Sequence, residues 1–166
     1  MPKVSTLHEP APADGPVDQI QTAFQMVAGS IAQVRVHERL LAVAGVRLDR
    51  AGSALLYKLH LYGESLRVTD LADLLGVDAP TVTRKIQQLE REQLVSRRPD
   101  PDDRRATRIM VTEAGRHALE RLLEARREWY DRLLDGWDEA ELAAFASLLG
   151  KFSSALAHDL EEARVD

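Results

Sequence analysis

A short segment with polar and basic side chains on one face carries the residues best suited to chemistry. The pattern predicts a helix over residues 79–92, which Asp78 can cap and Pro80 can begin, because first-turn amides need no partner within the helix. Its apolar residues recur at i, i+4 and i+7, so the opposite face is polar. Such a helix fits the DNA major groove, where Arg can grip guanine and Gln can grip adenine. We predict base contacts from Arg84 and Gln88, and phosphate contacts from Thr81, Thr83 and Lys85.

A charged loop follows this helix, between two short segments that we predict to be strands at residues 94–98 and 108–111. Its tip carries Arg104 and Arg105, which could reach a neighbouring minor groove, where narrow A·T tracts attract arginine. A bare carboxylate would repel phosphate, so we expect Asp103 to pair with an arginine and brace the loop. The alternative is a solvated run of charges without a partner.

The charge distribution favours a nucleic-acid partner although the whole chain is acidic, with a net charge of −5. Residues 79–109 hold eight Lys or Arg against five Asp or Glu, a balance of +3, which leaves −8 for the rest of the chain. A local basic surface on an acidic body is what phosphate binding requires, because the local potential matters more than the total charge.

Composition excludes several other classes of protein. The chain has no cysteine, which rules out disulfides, thiolate metal sites and thiol redox switches, and its five histidines lack metal-ligand spacing. No nucleophile–base pair and no phosphate-binding loop is visible, so we expect no enzyme, metal or cofactor. No segment approaches the roughly 20 apolar residues of a membrane span, and the N-terminus lacks a signal-length apolar run. We therefore expect a cytoplasmic protein without a membrane partner.

The fold class expected from the whole pattern is mainly α with a small β-hairpin wing. It is a winged helix-turn-helix flanked by long N- and C-terminal dimerisation helices. The N-terminal helix carries an apolar stripe at alternating steps of four and three residues, which fits a partner helix or packing on its own domain. The predicted divisions are a disordered arm at 1–16, the N-terminal helix at 17–46, the DNA-binding domain at 47–111, and the C-terminal helices at 112–166.

The run from Val68 to Gly115 resembles the MarR family of winged helix-turn-helix transcriptional regulators. The matching segments are TDLADLLGVDAPTVTRKIQQLE and QLVSRRPDPDDRRATRIMVTEAG, of which DRR and VTEAG are the most specific. The resemblance implies a homodimer with interlaced terminal helices, a recognition helix at 79–92 and a wing at 97–109. It also implies that Arg104 or Arg105 enters the minor groove while Asp103 braces the wing.

For function, the resemblance implies a repressor of neighbouring genes that binds a pseudo-palindromic operator on double-stranded DNA. It further implies release by a small aromatic or phenolic ligand, bound in a crevice between the dimer helices and the DNA-binding unit. The residues that could line that crevice are Tyr57, His60, His37 and Trp129, although a lone His or Tyr on a helix is more often packing or surface. The alternative function is a winged-helix protein-interaction module without DNA binding, which the basic central stretch disfavours.

One residue departs from the family pattern. Gln93 stands in the turn after the recognition helix, where the family usually has glycine. The position favours a positive φ, which glutamine adopts at a cost of about 1 kcal/mol. We expect either this strained conformation or a rearranged turn, with the fold retained.

Overall fold

The protein is described here by a computed structural model, over residues 15–31, 34–63, 65–103 and 106–162. Helices dominate, as the sequence predicts. The helices are α1 (Pro16–Ile31), α2 (Val34–Ala44), α3 (Arg50–Leu61), α4 (Val68–Leu75), α5 (Ala79–Arg91), α6 (Glu113–Leu133) and α7 (Glu139–Glu162). The strands are β1 (Ser65–Arg67), β2 (Val95–Pro99) and β3 (Thr107–Val111).

The chain divides into two compact units, residues 1–125 and residues 126–166. The first unit includes the N-terminal part of α6, so it extends beyond Val111, where the sequence pattern ends the DNA-binding domain. The predicted arm lies outside the described residues up to residue 14, and α1 begins at Pro16, one residue before the predicted start. Within the described ranges, no helix is both long and apolar enough to cross a membrane.

The core of the first unit lies where α3, α4 and α5 meet the sheet. These three helices bury one apolar side each because their leucines, isoleucine and valine recur at helical spacing. The start of α6 adds Leu119 and Leu122 to the buried residues. The largest fully buried apolar side chains of the three helices and the sheet are Leu55, Leu56, Leu59, Leu71, Val82, Ile86, Leu89 and Ile109.

A three-stranded antiparallel sheet replaces the two-stranded hairpin that the sequence predicts. Its strand order is β1-β3-β2, so β3 is central, with Arg98 opposite Arg108 and Leu66 opposite Ile109. β1 has only three residues, and its extended conformation depends on pairing with a strand far along the chain. A segment this short has no periodicity of its own, which is why the sequence did not reveal it.

Local capping interactions set several element ends, and the predicted cap at Asp78 is confirmed. The Asp78 side chain accepts a hydrogen bond from the Thr81 amide at 2.7 Å and starts α5. Gly76 ends α4 in the left-handed conformation, with φ +65°. Before α7, Asp138 and Glu141 each accept a hydrogen bond from the other's amide, at 2.8 and 2.9 Å, and so form a capping box.

Candidate nucleic-acid interface

Helix α5 has one apolar and one polar face, as predicted. Val82, Ile86 and Leu89 are almost completely buried against the core of the first unit. These contacts fix the rotation of α5 about its own axis and so decide which polar side chains face outward. The side chains that are exposed along α5 are Pro80, Thr81, Arg84, Gln87 and Arg91.

The two predicted base-contacting residues differ in their surroundings. Arg84 is exposed, and its Nη2 donates a hydrogen bond to Thr81 Oγ1 at 3.1 Å. Gln88 is half-buried, with Oε1 accepting from Lys85 Nζ at 2.8 Å and Nε2 donating to Glu92 Oε1 at 3.0 Å. Thus the guanidinium of Arg84 faces outward, whereas both ends of the Gln88 amide already have partners within the protein.

The three predicted phosphate-contacting residues also differ in their exposure and in their hydrogen-bond partners. Thr81 is exposed in the first turn of α5, where its own amide donates to the Asp78 side chain and its hydroxyl accepts from Arg84. Thr83 is half-buried and donates its hydroxyl to the Ala79 carbonyl at 2.8 Å. Lys85 forms an ion pair with Asp49, and only 18% of the Lys85 side chain is exposed. Of the three, Thr81 is therefore the residue that the fold presents to solvent.

Asp49 ties the start of α3 to α5. Its Oδ1 accepts from the Gly52 amide at 2.7 Å as the N-cap of α3, while its Oδ2 binds the ammonium of Lys85. Burial alone would raise the pKa of Asp49, but the hydrogen bonds from Lys85 and Gly52 outweigh it and lower the pKa below the ordinary value. One carboxylate thus holds two helices together at the edge of the predicted interface.

The arginines at the wing tip, Arg104 and Arg105, lie outside the described residues. Asp103 is exposed, and its carbonyl accepts from the Ala106 amide at 2.9 Å. The bracing role of its side chain stays a prediction. The carboxylate that organises the described part of the wing is instead that of Asp100, which the sequence analysis did not single out.

Asp100 is 2% exposed and binds groups from three segments. Its Oδ2 accepts from Arg67 Nε on β1 at 2.8 Å and from Arg108 Nε on β3 at 2.9 Å. Its Oδ1 accepts from the amides of Asp102 and Asp103 at 2.9 and 3.1 Å. The hydrogen bond from Arg67 does most to hold the pKa of Asp100 well below its ordinary range, and it outweighs the opposing effect of burial. The carboxylate is therefore ionised and fixes the root of the wing.

Sequence reasoning missed Asp100 because both arginine partners lie on other strands. Arg67 is 33 residues away, on the strand that the pattern did not reveal. Gln87 and Arg91 also lie on the exposed face of α5, but they were not among the predicted DNA-contacting residues. Their positions at i+3 and i+7 from Arg84 were a usable signal, since residues at these spacings share one face of a helix.

The turn after α5 keeps its expected shape despite Gln93. This residue has φ +60° and is the only non-glycine residue with positive φ among those the structure describes. Its amide donates to the Glu90 carbonyl at 3.0 Å, and its carbonyl accepts from the Thr112 hydroxyl at 2.6 Å. Of the two expected outcomes, the structure shows the strained positive φ and not a rearranged turn.

Gly115 explains the glycine of the VTEAG segment. A Cβ at this position would lie 2.1 Å from the carbonyl oxygen of Leu94, which real side chains essentially never do. The same carbonyl accepts from the Thr112 amide at 3.1 Å. The first turn of α6 therefore packs directly on the backbone that links α5 to β2, and only glycine permits this approach.

Two of the cavities among the described residues of the first unit lie beside α5, and none of the four predicted ligand residues lines either one. A cavity of about 370 Å³ is lined by Gly45, Val46, Arg47, Leu48, Glu92, Leu94, Ala114, Ala118 and Arg121. A second, of about 340 Å³, is lined by Arg50, Ala51, Ala54, Leu55, Leu75, Val77, Thr81, Val82 and Lys85. The first adjoins the C-terminal end of α5 and the second its N-terminal half.

The four predicted ligand residues lie in different surroundings. Tyr57 packs against the core, and His60 is exposed. His37 lies with Nε2 3.4 Å from the hydroxyl of Ser53. Trp129 belongs to the second unit, where its ring centroid is 5.0 Å from that of Tyr130. The three in the first unit do not line either cavity, and a ligand contact from any of the four stays a prediction.

Sequence comparisons with known proteins agree on one class of transcriptional regulator. The sequence profile of the MarR family matches residues 53–107. YxaD of Bacillus subtilis (strain 168), described as an uncharacterized HTH-type transcriptional regulator, is 32% identical over 65% of this chain and 75% of its own length. IacR of Pseudomonas putida, an HTH-type transcriptional repressor, is 29% identical over 75% of this chain and 70% of its own length.

Solved structures share the fold. A MarR family protein from Bacillus stearothermophilus has a TM-score of 0.76 at 21% identity, over 85% of this chain and 95% of that one. An S. aureus MepR mutant bound to an oligodeoxyribonucleotide has a TM-score of 0.57 at 24% identity, over 82% and 97%. Bordetella bronchiseptica BpsR, whose DNA binding is regulated by 6-hydroxynicotinic acid, has a TM-score of 0.52 at 24% identity, over 81% and 98%. With its winged helix-turn-helix and these relatives, the chain belongs to the MarR family of DNA-binding transcriptional regulators, and it is not an enzyme.

Proposed function

We propose that this protein is a homodimeric repressor that acts in the cytoplasm by occupying a pseudo-palindromic operator near the genes it controls. The observation that carries the proposal is the exposed polar face of α5, with Arg84 at its centre, beside a wing whose root is fixed by Asp100. The description of IacR as a repressor and the DNA-bound structure of MepR support the same role.

A binding titration with DNA from the protein's own promoter tests the proposal. We expect saturable binding whose log K falls by roughly 0.9 per neutralised phosphate as log salt rises. Arg84→Ala should weaken specific binding about five- to a hundredfold, because a bidentate base contact contributes roughly 1–3 kcal/mol of discrimination. Arg127→Ala makes the same charge change at an exposed position in the second unit and serves as the control. Equal affinity for a scrambled duplex at every salt concentration would rule the proposal out.

Exposed apolar residues on the terminal helices support the dimer. In the single chain, Val17 and Ile20 of α1 are 75% and 56% exposed, and Leu149 and Leu156 of α7 are 45% and 42% exposed. Large apolar side chains left exposed along a helix are typical of a face that packs on a partner. A second copy would cover these helices, and the resulting two-fold symmetry would match a palindromic operator.

For the effector, we infer a small aromatic carboxylate or phenol that binds the cavity of about 370 Å³. The cavity has a size typical of ligand sites, with apolar residues such as Leu48 and Leu94 and two arginines, Arg47 and Arg121, in its lining. An anionic aromatic molecule would match both kinds of residue. Glu92 also lines the cavity, so a bound ligand would contact the end of the recognition helix. The ligand named for BpsR, 6-hydroxynicotinic acid, is of the same chemical class.

A thermal-shift screen with benzoates and phenols tests this effector site. A ligand that binds only the folded protein at a hundred times its Kd should stabilise it by about 2.7 kcal/mol. Arg121→Gln should reduce the shift, whereas Arg127→Gln, outside the cavity lining, should preserve it. If both variants respond like the wild type, or if bound ligand leaves DNA affinity unchanged, the effector site is wrong although the DNA-binding function stands.

A further inference from the structure

The exposed ridge of α5 does not include Gln88. Arg84, Gln87 and Arg91 are all exposed, and at about 100° per residue they fall within roughly a 60° arc of the helix. The helix pattern alone places Gln88 beside this arc. In the structure Gln88 is half-buried and accepts a hydrogen bond from Lys85, which pairs with Asp49 at the start of α3. Thus two adjacent glutamines, with the same chemistry, stand in different environments.

Gln88 belongs to a chain of contacts that we name the Lys85 cluster: Asp49, Lys85, Gln88 and Glu92. Lys85 donates to both Asp49 and Gln88, and Gln88 donates in turn to Glu92. To contact adenine, Gln88 would have to break both of its amide contacts and leave the ammonium of Lys85 with one partner fewer. The carboxylate of Glu92 beside it would also repel DNA phosphates.

We propose that Gln87, and not Gln88, is the glutamine that determines base specificity, while the Lys85 cluster positions the recognition helix. The proposal rests on the DNA-binding function proposed above and names the residues that carry out its recognition. No hydrogen bond of the Gln87 amide occurs among the described residues, so its donor and its acceptor are both available to a base edge. Arg91 extends the same ridge by one helical turn and can add a phosphate or base contact.

Selection from duplexes with a randomised central segment tests this assignment. The wild type is compared with Gln87→Ala and Gln88→Ala. The two variants are matched because each removes one side-chain amide, at adjacent positions. Gln87→Ala should relax the preference at one base pair in each half-site by about five- to a hundredfold. Gln88→Ala should leave base preferences unchanged but lower the unfolding temperature, since it interrupts the Lys85 cluster.

The outcomes distinguish a failure of the proposed function from a failure of the Gln87 assignment. If the wild type enriches no sequence, the proposed function fails. If the wild type is selective and Gln88→Ala relaxes its preference, alone or together with Gln87→Ala, the assignment of Gln87 is overturned while the function stands. The assignment of Gln87 is also overturned if Gln87→Ala retains the base preferences of the wild type. Circular dichroism of each variant establishes that it is folded before selection.

Discussion

At the scale of single residues, one buried carboxylate decides how the wing is held. Asp100 receives four hydrogen bonds, two from arginines on other strands and two from amides of the wing loop. A charge is stable in such a buried position only when it is fully paired. The wing is therefore anchored through its root, by contacts that link it to β1 and to the start of α4.

We predict that Asp100→Asn lowers the free energy of unfolding by about 2 kcal/mol at neutral pH, because hydrogen bonds to charged groups contribute about that much. The folded pKa of Asp100 is below its unfolded value near 4, so its contribution is complete above that pH and is lost as the pH falls below it. The variant should accordingly lose less stability than the wild type between pH 5 and 3, in urea titrations. Asp102→Asn makes the same change at the exposed neighbouring position. An equal cost for both variants would contradict the role of Asp100.

At the scale of elements, the junction between α5, β2 and α6 is set by backbone geometry. Gln93 ends α5 with a positive φ, and the carbonyl of Leu94 next to it receives the first turn of α6 at Gly115. The hydroxyl of Thr112 bonds the Gln93 carbonyl and also accepts from the Gly115 amide at 3.0 Å. These contacts fix where the recognition helix ends relative to the strand that follows, so strain at Gln93 is retained by its surroundings.

Glycine should affect stability differently at the strained turn position Gln93 and at an ordinary helical position. Gln93→Gly should stabilise the protein by about 0.5–1 kcal/mol, because glycine adopts positive φ without steric cost. Gln87→Gly makes the same substitution at an exposed helical position and should destabilise by about 1 kcal/mol. Chemical denaturation of both variants measures the two effects. A loss of stability at both positions would show that the Gln93 side chain contributes more than its backbone strain costs.

At the scale of the whole molecule, the terminal helices present apolar side chains that the single chain leaves exposed. Along α7 the exposed apolar residues recur at steps of three and four, and α1 carries a similar stripe. This pattern is typical of helices that pack on a partner helix. A dimer would also place two recognition helices on one operator, which is the reason for a palindromic site.

We expect Leu149→Glu to convert the dimer to monomers at micromolar concentration, because burying an unpaired carboxylate in an apolar interface is costly. Ser147→Glu adds the same side chain on the opposite face of α7 and should leave the dimer intact. Sedimentation velocity distinguishes the two, and the monomeric variant should also lose most of its affinity for the full operator. A wild-type protein that sediments as a monomer would contradict the proposed assembly.

The recognition helix, its cap at Asp78 and the wing strands could be predicted from the sequence alone, whereas the left-handed conformation of Gln93 was one of two expected outcomes. These features depend on residues a few positions apart, so periodicity and local hydrogen bonding are enough to specify them. The family resemblance rested on the same local segment.

Tertiary structure decided which predicted side chains face outward. Lys85 and Gln88 were predicted to face DNA with Arg84, yet Lys85 pairs with Asp49, 36 residues away, and the Gln88 amide pairs with Lys85 and Glu92. Likewise β1 and the pairing of Asp100 with Arg67 depend on a strand that forms only by long-range contact. Such pairings arise from packing between distant segments, so they cannot be predicted from the spacing of residues along the chain.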